Sequence, residues 1–167
     1  MNLNINTTNQ TLEFDSRTYP CRIGRKGATP FKKGREGDEK TPLGQYHMRF
    51  GFYRADRLPR PHSPLTFRAI RENDGWCDDP NDPAYNRLIR LPSPVSHEKL
   101  WREDHVYDLI IVMSHNDSPP AAGLGSAVFL HVAQSDARKT LGCVAFDPET
   151  WVKLLPQFYC GLPIHIT

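Results

Sequence analysis

The chain has 167 residues, 38% hydrophobic and 24% charged, which suits one folded domain with its own core and excludes a disordered chain. Lysine and arginine total 21 against 19 aspartates and glutamates, a net charge of +2 with no basic stripe, so no nucleic-acid partner is expected. The longest apolar run, Leu109 to Met113, is far short of the ~18 residues of a membrane span, so no membrane insertion is expected.

Residues 3–24 alternate apolar and polar positions: Leu3 and Ile5, then Leu12 and Phe14, then Tyr19, Cys21 and Ile23. That is the period of half-buried strands, with Asp15-Ser16 as a tight turn. The opening residues are polar and lack the basic and apolar regions of a secretory leader, so a cytoplasmic protein is the expectation. Residues 24–43 are rich in glycine and charge and read as a long loop, followed by a strand from Gln45 to Arg54 with Tyr46, Met48, Phe50 and Phe52 on one face.

Residues 55–97 hold seven prolines and read as one long loop. Its carboxylates (Asp74, Asp78, Asp79, Asp82) lack the spacing of a calcium loop. Ser96 to Trp101 predicts one capped helical turn. Leu109 to Met113 is a central strand that delivers His115 and Asn116 to a rim. A second buried strand runs from Ser126 to Val132, with Phe129 and His131 on one face and Leu130 and Val132 on the other. Asp147-Pro148-Glu149 opens a helix that reaches Phe158, Gly161 ends it, and Leu162 to Ile166 is a last strand.

Cys21, Cys77, Cys143 and Cys160 are widely spaced, with no Cys-x-x-Cys pair, so no metal site is expected. Cys21, Cys77 and Cys160 read as small buried hydrophobes. Cys143 differs from them. It follows Gly142, stands just before a helix start and lies twelve positions after His131. A glycine lets the backbone turn sharply and aim N–H groups at a carbonyl oxygen, and a helix start favours a thiolate. In this pattern His131 takes the thiol proton and Cys143 attacks a carbonyl. The N–H groups of Leu141, Gly142 and Cys143 hold the oxyanion. No cofactor is called for. A metal hydrolase built on His97, His105 and His115 would have no recognised ligand spacing.

The paired motifs His131…Thr140-Leu141-Gly142-Cys143-Val144 and Thr41-Pro42-Leu43-Gly44-Gln45-Tyr46 resemble the YkuD-type L,D-transpeptidase catalytic domain. The resemblance extends over roughly residues 20–167, and a branch of the family carries stretches similar to Gly75-Trp76-Cys77-Asp78-Asp79-Pro80 and Ser114-His115-Asn116. Two positions depart from its pattern: Leu141 stands where the family has histidine, and Ala145 where it has arginine or asparagine. The resemblance implies one mainly β domain with minor α, a mixed β-sandwich with one or two helices over residues 1–167. It implies Cys143 as nucleophile, His131 as base and the Val132 carbonyl as the group that orients His131.

The implied partners are peptidoglycan stem peptides or muropeptides. The acyl group comes from the L-centre of the third, diamino residue, and D-alanine leaves. Water as acceptor gives an L,D-carboxypeptidase of muropeptide recycling. An amine, after export, gives a cross-linking transpeptidase. A wall-binding module without activity is a third reading. The stem carries carboxylates, so Arg25, Arg87 and Arg138 are candidate contacts, with His115, Asn116, Thr140, Tyr46 and Trp76 as cleft walls. The sequence leaves oligomeric state open.

Overall fold

The computed structural model describes residues 1–134, 136 and 138–167. In chain order the strands are β1 (Leu3–Asn6), β2 (Thr11–Phe14), β3 (Arg17–Pro20), β4 (Ala28–Pro30), β5 (Thr41–Tyr53), β6 (Phe67–Ala69) and β7 (Asp74–Cys77). They continue with β8 (Leu88–Arg90), β9 (His97–Lys99), β10 (Leu109–Met113), β11 (Phe129–Val132), β12 (Val144–Phe146) and, after helix α1 (Pro148–Leu154), β13 (Pro163–Ile166). The turn between β2 and β3 is made by Asp15 and Ser16, both at positive φ, the mirror-image geometry that suits a two-residue hairpin.

One sheet runs β12-β11-β10-β5-β13-β1-β2-β3, with β4 and β6 also paired to β5, and a second runs β8-β7-β9. The long β5 joins the two halves of the first sheet: Gly44 to His47 pair with β13, and Met48 to Tyr53 pair with β10. Its side chains do not keep one face, as alternation alone predicts. The register slips between Val112 and Met113, so Val112 faces Phe50 while Met113 faces Met48. This bulge turns Tyr46 and Met48 into one core, sends Phe52 into another and leaves Phe50 exposed.

Two cores result. In the first, Ile5, Leu12, Ile111, Leu130, Val144 and Trp151 pack with their neighbours between the two halves of the folded sheet. The second lies between β10–β11 and the small sheet, and holds Trp76, Leu100, Tyr107, Ile110, Phe129 and Cys143. β10 serves both, with Ile111 in the first and Ile110 and Val112 in the second. That is why its sequence is apolar at every position.

The predicted loop at 24–43 contains β4, a single 3₁₀ turn at Phe31–Lys33 and the start of β5. The predicted loop at 55–97 contains three strands, and the helical turn expected at Ser96 to Trp101 is replaced by β9, because Trp76 and Cys77 of β7 pair with Glu98 and His97. The helix stops at Leu154, short of Phe158, because Pro156 cannot donate to the carbonyl of Val152. A 3₁₀ turn, Leu155–Gln157, still carries Phe158 into the first core. Cys160 is exposed, not buried as expected.

Candidate active site

His131 is the third residue of β11, and Cys143 immediately precedes β12. These strands run parallel with Leu130 opposite Val144 and His131 opposite Ala145. Continuing that register sets Cys143 opposite Phe129. Alternation then puts Phe129, His131, Cys143 and Ala145 on one face, beneath the small sheet. Trp76 covers this face edge-on, its ring 5.1 Å from that of Phe129.

His131 Nδ1–H donates to the Val132 carbonyl at 2.9 Å. A carbonyl only accepts, so the proton sits on Nδ1 and Nε2 keeps its lone pair. The Cys143 thiol donates to the Ala127 carbonyl at 3.2 Å and accepts the Phe129 N–H at 3.3 Å. Burial pushes that thiol up to about 12, with the charge of Glu98 adding to it, and pulls His131 down to about 4. Both groups are therefore neutral at pH 7, with the thiol bonded to the Ala127 carbonyl and not to the imidazole.

The turn before Cys143 is held from two sides. Thr140 Oγ1 donates to the Cys143 carbonyl at 2.6 Å and accepts the Gly142 N–H at 3.1 Å. Gly142 sits at φ +136°, and a Cβ there would lie 3.1 Å from the Lys40 carbonyl, so no other residue fits without strain. Thr41 Oγ1 donates to the Gly142 carbonyl at 2.9 Å and accepts the Gly24 N–H at 2.9 Å. This is the physical link between the two distant motifs: the threonine that opens β5 fastens the cysteine turn. Thr41 is fully buried. Replacing it with valine keeps its shape and strands both partners, so Thr41→Val should lower stability by ~1–3 kcal/mol, read from the urea midpoint.

A family model, the YkuD L,D-transpeptidase catalytic domain, matches residues 3–166. The chain belongs to this family. It is also similar to solved structures of L,D-transpeptidase 1 from Mycobacterium tuberculosis (13% identity, TM-score 0.46, 99% of this chain and 60% of that one). A second is an L,D-transpeptidase from Mycobacterium smegmatis (14%, 0.48, 99% and 57%). A third is the helical cell shape determining protein of Campylobacter jejuni (13%, 0.47, 98% and 46%). The chain thus spans about half to three-fifths of the length of these proteins. No curated protein matches it.

The other residues that the family pattern marked out fare unevenly. A cavity of about 480 Å³ is lined by Trp76, Arg87, His115 and Phe129, together with Arg49 and Asp117. A smaller one of about 40 Å³ is lined by Leu141, Gly142, Gly125 and Ser126, and again by His115. Leu141 is 71% exposed at its mouth. Thr140 is buried and its hydroxyl is used inside the turn, so it is a positioning residue and not a substrate contact. Tyr46 packs in the first core and its hydroxyl donates to the Pro42 and Leu43 carbonyls, which removes it from the cleft wall. Asn116 bonds to Ala121 and Gly125 and shapes its own loop. Arg25 is engaged by Glu39, and Arg138 by Asp136 at 2.7 Å, both on the surface. Neither lines either of these two cavities; Arg87 lines the larger.

Three residues near the cysteine escaped the sequence reading. Asn86, at positive φ, accepts from Trp76 Nε1 at 2.8 Å and from the Ala127 N–H at 3.1 Å, and donates to the His115 and Asn116 carbonyls. It ties the small sheet to the ends of β10 and β11. Tyr107 stands edge-on to His131, ring centroids 5.6 Å apart, and its hydroxyl donates to Glu98 Oε1 at 2.5 Å. The Ala-Tyr-Asn run before β8 and the Asp-x-x-Tyr run before β10 carry no spacing that signals these contacts. Among the described residues no three His, Cys, Asp or Glu side chains gather to hold a metal, and Asp79 and Asp82 cap local turns instead.

Proposed function

We propose that this domain is a thiol acyl-transfer enzyme acting on peptidoglycan stem tetrapeptides, and that it works as an L,D-carboxypeptidase. The Cys143 thiol turns from Ala127 toward His131 Nε2, which takes its proton. Sγ attacks the carbonyl of the L-centre of the diamino residue. The Gly142 N–H is committed to Thr140, so the N–H groups of Leu141 and Cys143 hold the oxyanion. The carbon–nitrogen bond then breaks, and His131 returns its proton to the departing amine of D-alanine. Water, deprotonated by His131, attacks the thioester, releasing the tripeptide and restoring the thiol.

The observation that carries hydrolysis is how closed the reacting pair is. The larger cavity reaches Trp76 and Phe129 and the smaller, of about 40 Å³, reaches Gly142, and neither is lined by Cys143 or His131. Cys143 is only 9% and His131 only 6% exposed, which favours the smallest acceptor. We place the reaction in the cytoplasm, on recycled muropeptides. Among the described residues no helix is long and apolar enough to cross a membrane.

Mass analysis of purified protein with disaccharide-tetrapeptide should show loss of one alanine and nothing larger. Dimers, or exchange of the terminal residue for an added D-amino acid, would overturn hydrolysis in favour of transpeptidation. Absence of both, with Cys143 also inert to a carbapenem, would leave a wall-binding module.

A further inference from the structure

The thiol rests on a segment that the two sheets do not hold. The β10–β11 ladder begins only at Phe129, so residues 123–128 approach β11 outside either sheet. Cys143 Sγ bonds on both sides of Val128: its S–H donates to the Ala127 carbonyl at 3.2 Å, and it accepts the Phe129 N–H at 3.3 Å. Val128 and His115 line both cavities, and Gly125 and Ser126 line the smaller. The segment is thus a wall between the two cavities, with the sulfur behind it.

A few contacts keep this wall in place. Gly123 and Gly125 sit at φ +77° and +105°, and Ala127 at +51°, a left-handed backbone that an L side chain enters at a cost. Against that cost stand side-chain latches. The Tyr85 hydroxyl accepts the Gly125 N–H at 3.0 Å, Asn116 Nδ2 donates to the Gly125 carbonyl at 2.9 Å, and Asn86 Oδ1 accepts the Ala127 N–H at 3.1 Å. Asn86 also lines the larger cavity, so a ligand there meets one of the latches directly. The two groups on the sulfur differ in kind. A carbonyl only accepts, so the Ala127 contact lasts only while the sulfur keeps its proton. An N–H favours the charged sulfur, and that of Phe129 belongs to β11, which is fixed in the sheet. Lifting Ala127 away removes the group that needs the proton and leaves the thiolate its donor.

We propose that residues 123–128 are a strap that holds the nucleophile in a resting state, that Tyr85 and Asn86 are the positioning residues that latch it, and that a stem peptide entering the larger cavity opens it. Opening joins the two cavities into one cleft along Cys143 and frees Sγ to turn to His131 Nε2. This step precedes the attack in the acyl-transfer reading above and rests on it. The donor fills the space that opens, so water remains the acceptor that fits.

The test is alkylation of Cys143 by iodoacetamide, followed by peptide mass mapping with the exposed Cys160 as internal reference. Tyr85→Phe keeps the ring and removes the hydroxyl that holds Gly125. It should raise the Cys143 rate by about 10-fold, the worth of one hydrogen bond, and leave Cys160 unchanged. The gain should be the same with and without dilute urea, because a local opening exposes little surface and global unfolding exposes much. With disaccharide-tetrapeptide the same variant should lower KM by the same factor while kcat holds, since the substrate no longer has to open that part of the strap. Gly125→Ala acts on the strap from its other side: its Cβ would lie 3.0 Å from His115 Cε1, and both rates should move in the same direction. Unchanged alkylation in both variants, or faster alkylation with an unchanged or higher KM, overturns the strap and leaves the carboxypeptidase reading standing. No alanine release by the wild-type protein overturns that reading, and the alkylation rates then decide the strap alone.

Discussion

Cys143→Ala should reduce D-alanine release by on the order of 10⁴-fold or more, to the level of a protein-free control, in folded protein. The other thiols cannot substitute. Cys21 is in the first core, on the other side of the sheet, Cys77 belongs to the small sheet, and Cys160 is on the surface next to Tyr159. Removing Sγ leaves the Phe129 N–H and the Ala127 carbonyl without their sulfur partner. The structural cost is about 1 kcal/mol, too small to account for the loss of rate. The measurement is alanine release by mass spectrometry with a thermal melt on the same sample. Wild-type activity in Cys143→Ala would end the assignment of this residue as nucleophile, and with it the acyl-enzyme route.

The pair at the centre of the site was legible because its signals are local. His131 sits on a short, strongly apolar strand, Cys143 stands directly before another, and Gly142 marks a backbone that other residues adopt only with strain. β10 and the helix start were legible for the same reason, one as an unbroken apolar run and the other as Asp147-Pro148. What could not be read depends on register. Arg49 at the bulge looks like any outward residue of β5, yet it decides that Tyr46 enters one core and Phe52 the other. β7, β8 and β9 are three or four residues long and separated by prolines, too short for alternation to show. Glu98 therefore reads as part of a capped helical turn until its pairing with Trp76 places it in the small sheet that covers Cys143. The arginines failed for the opposite reason: Arg25 and Arg138 satisfy themselves with acids two to fourteen positions away, a choice that residue type alone does not reveal.

Acidification should destabilise the fold well before its ion pairs titrate, and two histidines account for it. His131 is 6% exposed beside Arg102 and Asp104; His115 is 3% exposed, with Asp117 and Asp38 nearby and neither ring nitrogen hydrogen-bonded among the described residues. Burial pulls both down to about 4. The unfolded chain binds these protons near pH 6.5 and the folded chain only near 4, so between those values the unfolded state holds more protons and stability rises with pH. The contribution is complete above 6.5 and is lost as pH falls toward 4. Moving from pH 7.5 to 5 should remove ~2 kcal/mol for each histidine, a large share of a typical 5–15 kcal/mol total. Glu36 and Glu98 work the other way, since burial raises both and favours the folded state as they protonate. The histidine share is isolated by comparing wild type with His115→Gln in urea at the two pH values. The variant should lose ~2 kcal/mol of the pH dependence and keep the part due to His131. Equal pH dependence in the two proteins would show that the His115 proton is bound as readily in the fold as outside it.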